Sequence, residues 1–540
     1  MKKITHNWCA DNQNGTYVNP ILYTDYSDPD AIRVGEDYYM IASSFSNTPG
    51  LPILHSKDLV NWEVINYAVP KLPYKRYDEP CHGCGIWAPA IRYENNLFYI
   101  FFPLPDEGIF VTTAKNPRDT WTPPTAVFEG KGWIDPCPFW DDDGKVYMVL
   151  AFAKSRIGFK SILNLCELDP VTFRIKDMGR TIFDGNSTGQ ETIEGPKMHK
   201  KNGYYYIFAP AGGVKTGWQT VLRSSNVWGP YEEYKEVLKQ GDTSINGPHQ
   251  GAWVDTPDGK DWFIHFQDVF AAGRIVHLQP MKWENDWPVI GNPVAGTCYG
   301  TPVKTYEKPI SLPMEPMVPD SSDEFESDTL GLQWQWNANY NMDWYRLNPA
   351  LSSIELKAVS YKKERSIANM PNLLLQKWCM PEFTAITKLN LMGLKVGDVT
   401  GLISMGILYG AIGVKREENS LKLIQITGEQ IFENEKATSV DIEKELRNLG
   451  NINEIYFKNK VIQVDKSEMD IIPTQELEEH SYEKIKFSYS LDGINYTEVF
   501  SIDSRAGRWV GVKNGLFCYN RDSEDTGMVS SDYFRIDNQK

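Results

Sequence analysis

The sequence of 540 residues contains no apolar run long enough to cross a membrane. Its longest apolar stretch, Leu402 to Val414, includes one serine and three glycines and falls short of the roughly 20 residues that a membrane helix needs. The stretch from Met1 to Trp8 turns polar at once and lacks the apolar segment of a secretory signal. We therefore expect a cytoplasmic protein without a membrane partner.

Basic residues are also scarce, because 55 Lys and Arg stand against 71 Asp and Glu and leave a net charge of -16. A nucleic-acid-binding surface requires a basic patch, and the sequence has no run of Lys and Arg of that kind. Nucleic acid is therefore not an expected partner, whereas neutral partners such as glycans stay open.

Cysteine is sparse, with eight residues in the whole chain. So few thiols do not build a disulfide framework, and in a cytoplasm they stay reduced. Cys81-His82-Gly83-Cys84 is the only close pair, and no second pair follows at zinc-ribbon spacing. We interpret these thiols as loop residues rather than as a metal or redox centre.

Aromatic residues are abundant, at 13% of the chain with 17 Trp and 28 Tyr. Their excess fits either the packing of a strand-rich fold or platforms on which sugar rings stack, and composition does not separate the two. The length favours at least two domains, because one hydrophobic core rarely serves more than about 250–300 residues.

A short motif that ends in proline recurs five times in the first part of the chain. Each copy leads into alternating apolar residues, a turn and an aromatic-rich strand. The copies begin at Asp28-Pro29, Trp87-Ala88-Pro89, Asp135-Pro136, Glu194-Gly195-Pro196 and Asn246-Gly247-Pro248-His249. Hairpins that recur about every 50 residues predict an all-β fold with a five-bladed β-propeller over residues 1–302.

The pattern changes near Thr301. Four prolines between Glu307 and Pro319 predict an interdomain linker over residues 303–321. Residues 322–540 alternate as strands do, without the blade motif, which predicts a C-terminal β-sandwich. The charged segment Asp441 to Leu446 fits a short helix or a solvated strand or loop, and the second interpretation is favoured.

Three of the five repeats begin with a carboxylate, at Asp28, Asp135 and Glu194. A propeller places the start of each innermost strand around one channel, so these groups should face one another across its mouth. Turn capping is the alternative role, since Asp before Pro is common in loops. Equivalent placement in three repeats favours a paired acid and base, which inverting hydrolysis of a glycosidic bond requires.

The neighbours of the carboxylates suggest how their roles divide. Glu194 stands in a partly apolar segment, where burial and the charge of Asp135 would raise its pKa and keep it protonated. Asp28 stands in a polar segment that favours an ionised base.

Several segments resemble glycoside hydrolase family 43, in the family's order. They are Asn19-Pro20-Ile21-Leu22, Ser27-Asp28-Pro29-Asp30, Trp87-Ala88-Pro89, Ile134-Asp135-Pro136, Ile193-Glu194-Gly195-Pro196 and Gly291. The resemblance implies a five-bladed propeller and an inverting mechanism, with Asp28 as general base, Asp135 as pKa modulator and orienting group, and Glu194 as general acid. Asp30 and Ala90 depart from the pattern, because many members carry Ser and several carry a larger polar residue at these positions.

The resemblance also implies further site residues. Arg274 matches the family arginine that contacts a substrate hydroxyl. Phe45 and Trp87 match positions that line the pocket, with core packing as the alternative for both. His249 matches a histidine near the channel centre that in several members holds a cation directly or through water, and the alternative is a hydrogen-bonded histidine.

The C-terminal region resembles the concanavalin-type, lectin-like sandwich of exo-acting family members. In those relatives the sandwich reaches over the pocket, and Trp509 is our candidate for the closing residue, against a place in the sandwich core. Asp323 and Asp532 are candidates for binding a structural calcium ion, as in some relatives, against solvated turn residues.

These features predict an inverting, exo-acting glycoside hydrolase. Its expected partner is a hemicellulose-derived xylo- or arabino-oligosaccharide or side chain, from which it releases terminal β-D-xylose, α-L-arabinofuranose or both. The chemistry requires no cofactor, and self-association is left open. The alternatives are an endo-arabinanase-like hydrolase of the same family and a glycan-binding propeller without activity. A retaining, invertase-like propeller is disfavoured because its Asn-Asp-Pro-Asn and Arg-Asp-Pro signatures are absent.

Overall fold

The computed structural model describes residues 8–311, 315–433, 436–465 and 482–537. Within these ranges the chain consists mainly of β-strands and loops, which confirms the predicted all-β class. The helical segments are one short α-helix, Lys154–Ile157, and the 3-10 segments Lys75–Asp78, Gly185–Ser187, Phe270–Ala272, Met342–Trp344, Pro349–Leu351 and Ile367–Asn369. The polar stretch 1–7, residues 312–314 of the predicted linker and residues 538–540 of the predicted sandwich lie outside the described residues.

The first part of the chain is the predicted five-bladed propeller, and each blade contains a four-stranded antiparallel meander. Blade 1 consists of Asp30–Val34, Asp37–Ile41, Gly50–Ser56 and Glu63–Val69, and blade 2 of Ala90–Glu94, Leu97–Leu104, Gly108–Ala114 and Thr125–Glu129. Blade 3 consists of Trp133–Trp140, Val146–Phe152, Ile162–Leu168 and Arg180–Asp184. Blade 4 consists of Lys197–Lys201, Tyr204–Ala211, Trp218–Ser224 and Glu233–Leu238, extended by Gly300–Thr301 and Asn292–Pro293. Blade 5 consists of His249–Asp255, Asp261–Val269, Gly273–Glu284 and Trp287–Ile290.

Tight turns explain why the blade hairpins form where the repeats predict them. Asn95 and Asn96 join the first two strands of blade 2 and have φ values of 50° and 60°. Positive φ at both residues characterises a type I′ turn, whose twist matches that of the strands and which favours Asn and Gly. Asn202-Gly203 in blade 4 likewise has φ values of 52° and 79°. Apolar side chains then pack between blades, as Phe101 of blade 2 does with Met148 of blade 3.

The propeller is closed by pairing between its beginning and the segment after blade 5. Thr16–Val18 pairs antiparallel with Thr305–Glu307, and Leu22 exchanges backbone hydrogen bonds with Val276 of blade 5. The segment predicted as a linker is therefore partly held on the propeller. Its later part is also attached, because Met317 N donates to Asn61 Oδ1 at 2.9 Å.

The second part is the predicted β-sandwich. Its eight-stranded sheet contains, in spatial order, Gln335–Trp336, Leu374–Lys377, Lys513–Asn520, Asp398–Met405, Leu408–Arg416, Leu421–Glu433 and Lys436–Gly450, with Val359–Ser360 beside Lys513–Asn520. The seven-stranded sheet contains Tyr345–Asn348, Ser353–Lys357, Met528–Asp537, Phe383–Asn390, Glu454–Val464, Tyr482–Ser490 and Thr497–Asp503. The segment Asp441 to Leu446 lies within Lys436–Gly450, and Glu443 to Glu445 are exposed, which confirms the solvated strand.

The two domains share a hydrophobic core across their interface. Ala271, Ala272 and Ile275 of the propeller belong to the same buried cluster as the sandwich core. A backbone bridge also joins Thr48 and Trp336, with N···O distances of 3.1 and 2.6 Å. The sandwich is thus packed directly against segments of blades 1 and 5 of the propeller.

Two further features bear on the sequence analysis. Across the described ranges no helix is long and apolar enough to span a bilayer. All eight cysteines are free thiols, and Cys81 and Cys84 lie in a loop, at the two ends of a turn closed by a 2.9 Å bond from Cys84 N to Cys81 O.

Candidate active site

A pocket at the mouth of the propeller channel collects residues from several blades and from the sandwich. Its volume is about 1100 Å³ including the open mouth. The residues singled out from the sequence that line it are Asp28, Phe45, Trp87, Asp135, Glu194, Arg274 and Trp509. A second cavity at the domain interface has Asp320 as the single carboxylate among its described lining residues, so it lacks the carboxyl pair of a glycoside hydrolase.

Asp28 precedes the first strand of blade 1 and is buried, with a φ of 55°. Its Oδ2 atom accepts hydrogen bonds from the hydroxyls of Ser27 at 2.8 Å and Ser43 at 2.6 Å. Its Oδ1 atom accepts one from Arg274 Nη1 at 3.0 Å. Three donors, one of them a guanidinium, therefore orient a carboxylate that can accept a proton.

Asp135 lies at an irregularity in the first strand of blade 3, where the register shifts between Ile134 and Cys137. Such a bulge re-aims a side chain, and Asp135, with a φ of 55°, lines the pocket. Its Oδ2 atom accepts hydrogen bonds from Gly195 N at 2.7 Å and from Gln250 Nε2 at 3.3 Å. Burial raises the pKa of Asp135 to about 7, although the bond from Gly195 acts in the opposite direction.

Glu194 lies three residues before the first strand of blade 4, Lys197–Lys201, and its backbone N donates to Pro210 O at 3.1 Å. Desolvation, followed by the charges of Asp135 and Asp28, raises the pKa of Glu194 to about 8. A carboxyl group with that pKa keeps its proton at neutral pH. Glu194 is therefore suited to donate a proton, whereas Asp28 is suited to accept one.

His249 lies beside Glu194 and is fully buried. Its Nε2 atom is 3.6 Å from Glu194 Oε1, too far for a good hydrogen bond. Burial lowers the pKa of His249 to about 3, so the imidazole is neutral. Among the described residues, neither ring nitrogen of His249 has a hydrogen-bond partner.

Arg274 belongs to blade 5 and reaches the carboxylate of Asp28. Besides its bond to Asp28, Nη1 donates to Ser27 Oγ at 2.7 Å. Its guanidinium lies 4.8 Å from the ring centre of Phe266 and 5.8 Å from that of Trp509. This arginine therefore contacts the Asp28 carboxylate on one side and an aromatic wall of the pocket on the other.

Three aromatic side chains form walls of the pocket. Phe45 is buried and has a φ of 53°. Trp87 donates from Nε1 to Gly83 O at 3.0 Å, and the Arg156 guanidinium lies 5.0 Å from the centre of its ring. Trp509 comes from the sandwich, is 44% exposed and meets Trp87 edge to face at 6.4 Å. Trp509 therefore lies at the pocket mouth and not in the sandwich core.

Asp323 and Asp532, the candidate calcium ligands, have separate protein partners in the structure, and calcium binding by this pair stays a prediction. Asp323 accepts hydrogen bonds from Phe325 N at 2.8 Å and Trp334 Nε1 at 2.9 Å. Asp532 instead pairs with Lys388 at 2.9 Å. In the part of the chain that the structure describes, no group of three or more His, Cys, Asp or Glu could hold a metal ion, so His249 also has no such partners. Asp323 thus accepts local hydrogen bonds, and Asp532 forms an ion pair.

Two further pocket residues were not predicted from the sequence. Gln250 lies at the start of blade 5 and bonds Asp135, and it could have been noticed because it directly follows the fifth repeat motif. Lys160 Nζ donates to Thr192 Oγ1 at 2.7 Å, and its charge acts to lower the pKa of Glu194. Lys160 lies in a loop inside blade 3 that carries no repeat signal, so only the folded chain shows its position.

Comparisons with known proteins agree with this geometry. Residues 17–288 match the model of glycosyl hydrolases family 43, and residues 322–537 match that of the β-xylosidase C-terminal concanavalin A-like domain. A protein of Xylanibacter ruminicola, provisionally named a β-xylosidase, is 36% identical over 520 residues, which cover 95% of this chain and 88% of that protein.

Two further relatives extend the comparison. A non-reducing-end α-L-arabinofuranosidase of Bacteroides ovatus is 30% identical over 415 residues, covering 72% of this chain and 73% of that protein. The crystal structure of a family 43 protein from Bacillus licheniformis superposes with a TM-score of 0.75 at 26% identity, covering 96% of this chain and 99% of that one. The likeness therefore spans both domains.

Proposed function

The chain belongs to glycosyl hydrolases family 43 and is a glycoside hydrolase, and from this premise we propose that it removes single pentose units from chain ends with inversion of configuration. The proposed products are β-D-xylose, α-L-arabinofuranose or both, released from hemicellulose-derived oligosaccharides or side chains. The observation that carries the proposal is the meeting of Asp28, Asp135 and Glu194 in one pocket that Trp509 borders.

We assign the general-acid role to Glu194. Inverting hydrolysis needs a protonated carboxyl that gives its proton to the leaving oxygen. The raised pKa of Glu194, about 8, supports this assignment. Asp135 also has a raised pKa, but it accepts a bond from Gly195 N, and a backbone donor favours the ionised carboxylate. Of this coupled pair, the proton therefore resides on Glu194, and Asp135 supplies the charge that retains it.

We assign the general-base role to Asp28. In an inverting enzyme the base removes a proton from the water that attacks the opposite face of the sugar. Bonds from Ser27, Ser43 and Arg274 orient its carboxylate. The two proton transfers and the attack of water complete the reaction without any group beyond the protein and substrate, so the chemistry requires no cofactor. We propose that any cation near His249 is held directly or through water and has only a structural role, and that Asp323 and Asp532 bind a structural calcium ion, which equilibrium dialysis with Ca²⁺ tests.

The exo-acting preference rests on the pocket walls. Phe45, Trp87 and Trp509 surround the carboxyls with aromatic surface, and Trp509 stands over one side of the mouth. An aromatic ring can pack against the apolar face of a sugar. An endo-acting enzyme instead needs a cleft that is open at both ends, so that the polymer extends on either side of the cleaved bond. The names of the two relatives reported above, a provisionally named β-xylosidase and a non-reducing-end α-L-arabinofuranosidase, support the same preference.

The deciding experiment is a panel of aryl pentosides and natural oligosaccharides. We expect release of free xylose or arabinose from both classes, and proton NMR of the first turnovers should show the inverted anomer. Oligosaccharide products from linear arabinan would favour the endo-acting alternative. Binding of xylo-oligosaccharides without release of any sugar by the wild-type protein would favour the non-catalytic alternative.

We also propose that the enzyme works in the cytoplasm on short oligosaccharides that reach it there. Fractionation of the producing cells tests this proposal, and activity recovered mainly outside the cytoplasm would contradict it. Size-exclusion chromatography with light scattering would determine the oligomeric state.

A further inference from the structure

A buried carboxylate behind the pocket joins the two domains. Asp25 Oδ1 accepts a hydrogen bond from Arg274 N at 3.0 Å, and Asp25 Oδ2 accepts one from Gly511 N at 2.9 Å. Arg274 belongs to blade 5, whereas Gly511 belongs to the sandwich and follows Trp509 by two residues. One carboxylate therefore binds both the backbone of the arginine that contacts Asp28 and the loop that carries Trp509.

The backbone segments around Asp25 approach one another too closely to leave room for a side chain at Gly273 or Gly511. Gly273 has a φ of 76°, and a Cβ at this position would lie 2.7 Å from Asp25 Cγ and 2.7 Å from Gly511 N. A Cβ at Gly511 would lie 2.8 Å from Ala272 O. The adjacent Val512 N donates to Ala271 O at 2.8 Å. Glycine at these two positions is what allows the sandwich loop to reach Asp25.

Asp25 is shielded from water, and Lys377 of the sandwich also contacts it. Its exposed fraction is 5%. Lys377 of the sandwich donates from Nζ to Asp25 O and lies 4.2 Å from the ring centre of the adjacent Tyr26. Charge-assisted bonds in a site without competing water are stronger than exposed ones. The contact is therefore suited to hold two segments in a defined position.

Trp509 needs such an anchor. Its φ of 69° lies in the left-handed region, which a bulky residue adopts only when its surroundings hold it there. Its indole meets Trp87 at 6.4 Å and the Arg274 guanidinium at 5.8 Å, yet 44% of the residue is exposed. Side-chain packing therefore covers only part of Trp509. The backbone bonds at Gly511 and Val512 help to fix the position of the loop that carries it.

We infer that Asp25 is a positioning residue for the hydrolase. By binding Arg274 N and Gly511 N together, it sets the position of the pocket-closing tryptophan relative to the arginine that holds the catalytic base. Asp25 does not line the pocket and acts through these two residues. The kinetic consequence rests on the proposed exo-acting function, whereas the structural link does not depend on it.

Hydrogen–deuterium exchange tests the structural link without any substrate. We compare Asp25→Ala and Asp25→Asn with Asp398→Ala. Asp398 is also a buried carboxylate, and it accepts bonds from two backbone donors, Lys395 N at 2.7 Å and Gly527 N at 2.9 Å. It accepts a third bond from Asn520 Nδ2 at 2.9 Å, and all of these contacts lie within the sandwich. It therefore controls for the general cost of removing such a group.

In Asp25→Ala, amide exchange should rise about tenfold or more in peptides that cover both Arg274 and Gly511, because both donors lose their acceptor. Asp25→Asn retains one carboxamide oxygen and should raise exchange in only one of the two peptides. Asp398→Ala should raise exchange near Lys395 and Gly527 and leave the Arg274 and Gly511 peptides unchanged. Unchanged exchange at Gly511 in Asp25→Ala would overturn the inference.

A double-mutant cycle tests the kinetic consequence. Asp25→Ala should raise KM for a xylo-oligosaccharide about tenfold, with a smaller change in kcat, because displacement of pocket walls weakens binding. In a Trp509→Ala background the same change should cost about threefold or less in KM. Fully multiplicative losses would show that Asp25 does not act through Trp509 and would overturn the inference. If the wild-type protein hydrolyses no pentoside, the proposed function fails, while the exchange result still decides the structural link.

Discussion

The propeller and the sandwich contribute different kinds of residues to the pocket. The propeller supplies three carboxyls, Asp28, Asp135 and Glu194, from equivalent places in a repeated motif. The sandwich supplies Trp509 from a loop between its strands Thr497–Asp503 and Lys513–Asn520. Repetition suits groups that must face one another around an axis. A single closing residue from another fold requires a specific contact between the two domains.

From this contrast we propose that the proton-transferring groups lie in the propeller alone, whereas the aromatic walls that hold the substrate come from both domains. In the proposed mechanism Asp28 and Glu194 transfer protons, so these propeller carboxyls should control kcat. Trp509 has no proton to transfer in the reaction and should control how the sugar is held, and hence KM. Substitutions in the two regions should therefore produce different kinetic signatures.

Removal of the general base should have the largest effect. In Asp28→Asn the amide cannot take a proton from the attacking water, so kcat/KM should fall by about 10²–10⁴ on every substrate, mainly through kcat. Steady-state kinetics with 4-nitrophenyl and 2,4-dinitrophenyl pentosides and with xylobiose measure this. A loss confined to KM would remove Asp28 from the base role.

Removal of the general acid should depend on the leaving group. Glu194→Ala should lose about 10²–10⁴ in kcat/KM on natural oligosaccharides, whose leaving oxygen must be protonated. The loss should be far smaller on 2,4-dinitrophenyl pentosides, because this leaving group departs without a proton. Equal losses on both substrates would contradict the assignment, and the comparison with Asp28→Asn serves as the control.

Removal of the sandwich contribution should act mainly on binding. Trp509→Ala should raise KM by about 10- to 100-fold, since an aromatic contact with one sugar is worth about 1–3 kcal/mol, with kcat changed by about threefold or less. Trp509→Phe keeps an aromatic face and should recover most of the affinity. A loss in kcat alone, with KM unchanged, would break the proposed division between the domains.

The pH profile should reveal the carboxyl pair. The pKa of Glu194 is raised to about 8, so kcat/KM should fall with rising pH near that value, by about tenfold per unit, as the acid loses its proton. Asp135→Asn removes a negative neighbour that helps to raise this pKa. Its remaining activity should therefore show the alkaline fall at a lower pH. An unchanged or higher midpoint would contradict the role of Asp135.

Gln250→Ala should have the smallest effect. It removes the 3.3 Å bond to Asp135 Oδ2, whereas the shorter bond from Gly195 N stays. We expect kcat/KM to fall by only about threefold to tenfold, because the lost bond is long and Gly195 N still binds the same carboxylate oxygen. Thermal unfolding of the same variant controls for lost packing, and a loss as large as that of Glu194→Ala would show that Gln250 has a direct role in the reaction.

The features that were predictable from the sequence lie in short local motifs. Blade turns such as Asn95-Asn96 and the carboxylate-Pro motifs depend on a few neighbouring residues, so the propeller and its three carboxyls were predictable. The partners of Asp323 and Asp532, which are Trp334 and Lys388, were not predictable because they are not part of any motif. Gln250 and Lys160 were missed because side-chain direction at those positions depends on the folded loops.

The sequence by itself determined the number of blades, the order of the two domains and the position of each carboxyl at the start of a blade. These features follow from local backbone geometry repeated along the chain. The tertiary structure alone decided that Glu194 has a pKa of about 8 and that Trp509 borders the pocket beside Trp87. The first depends on desolvation by groups from several blades, and the second on contacts such as that of Asp25 with Gly511, which lie 486 positions apart in the chain. No local pattern encodes either one.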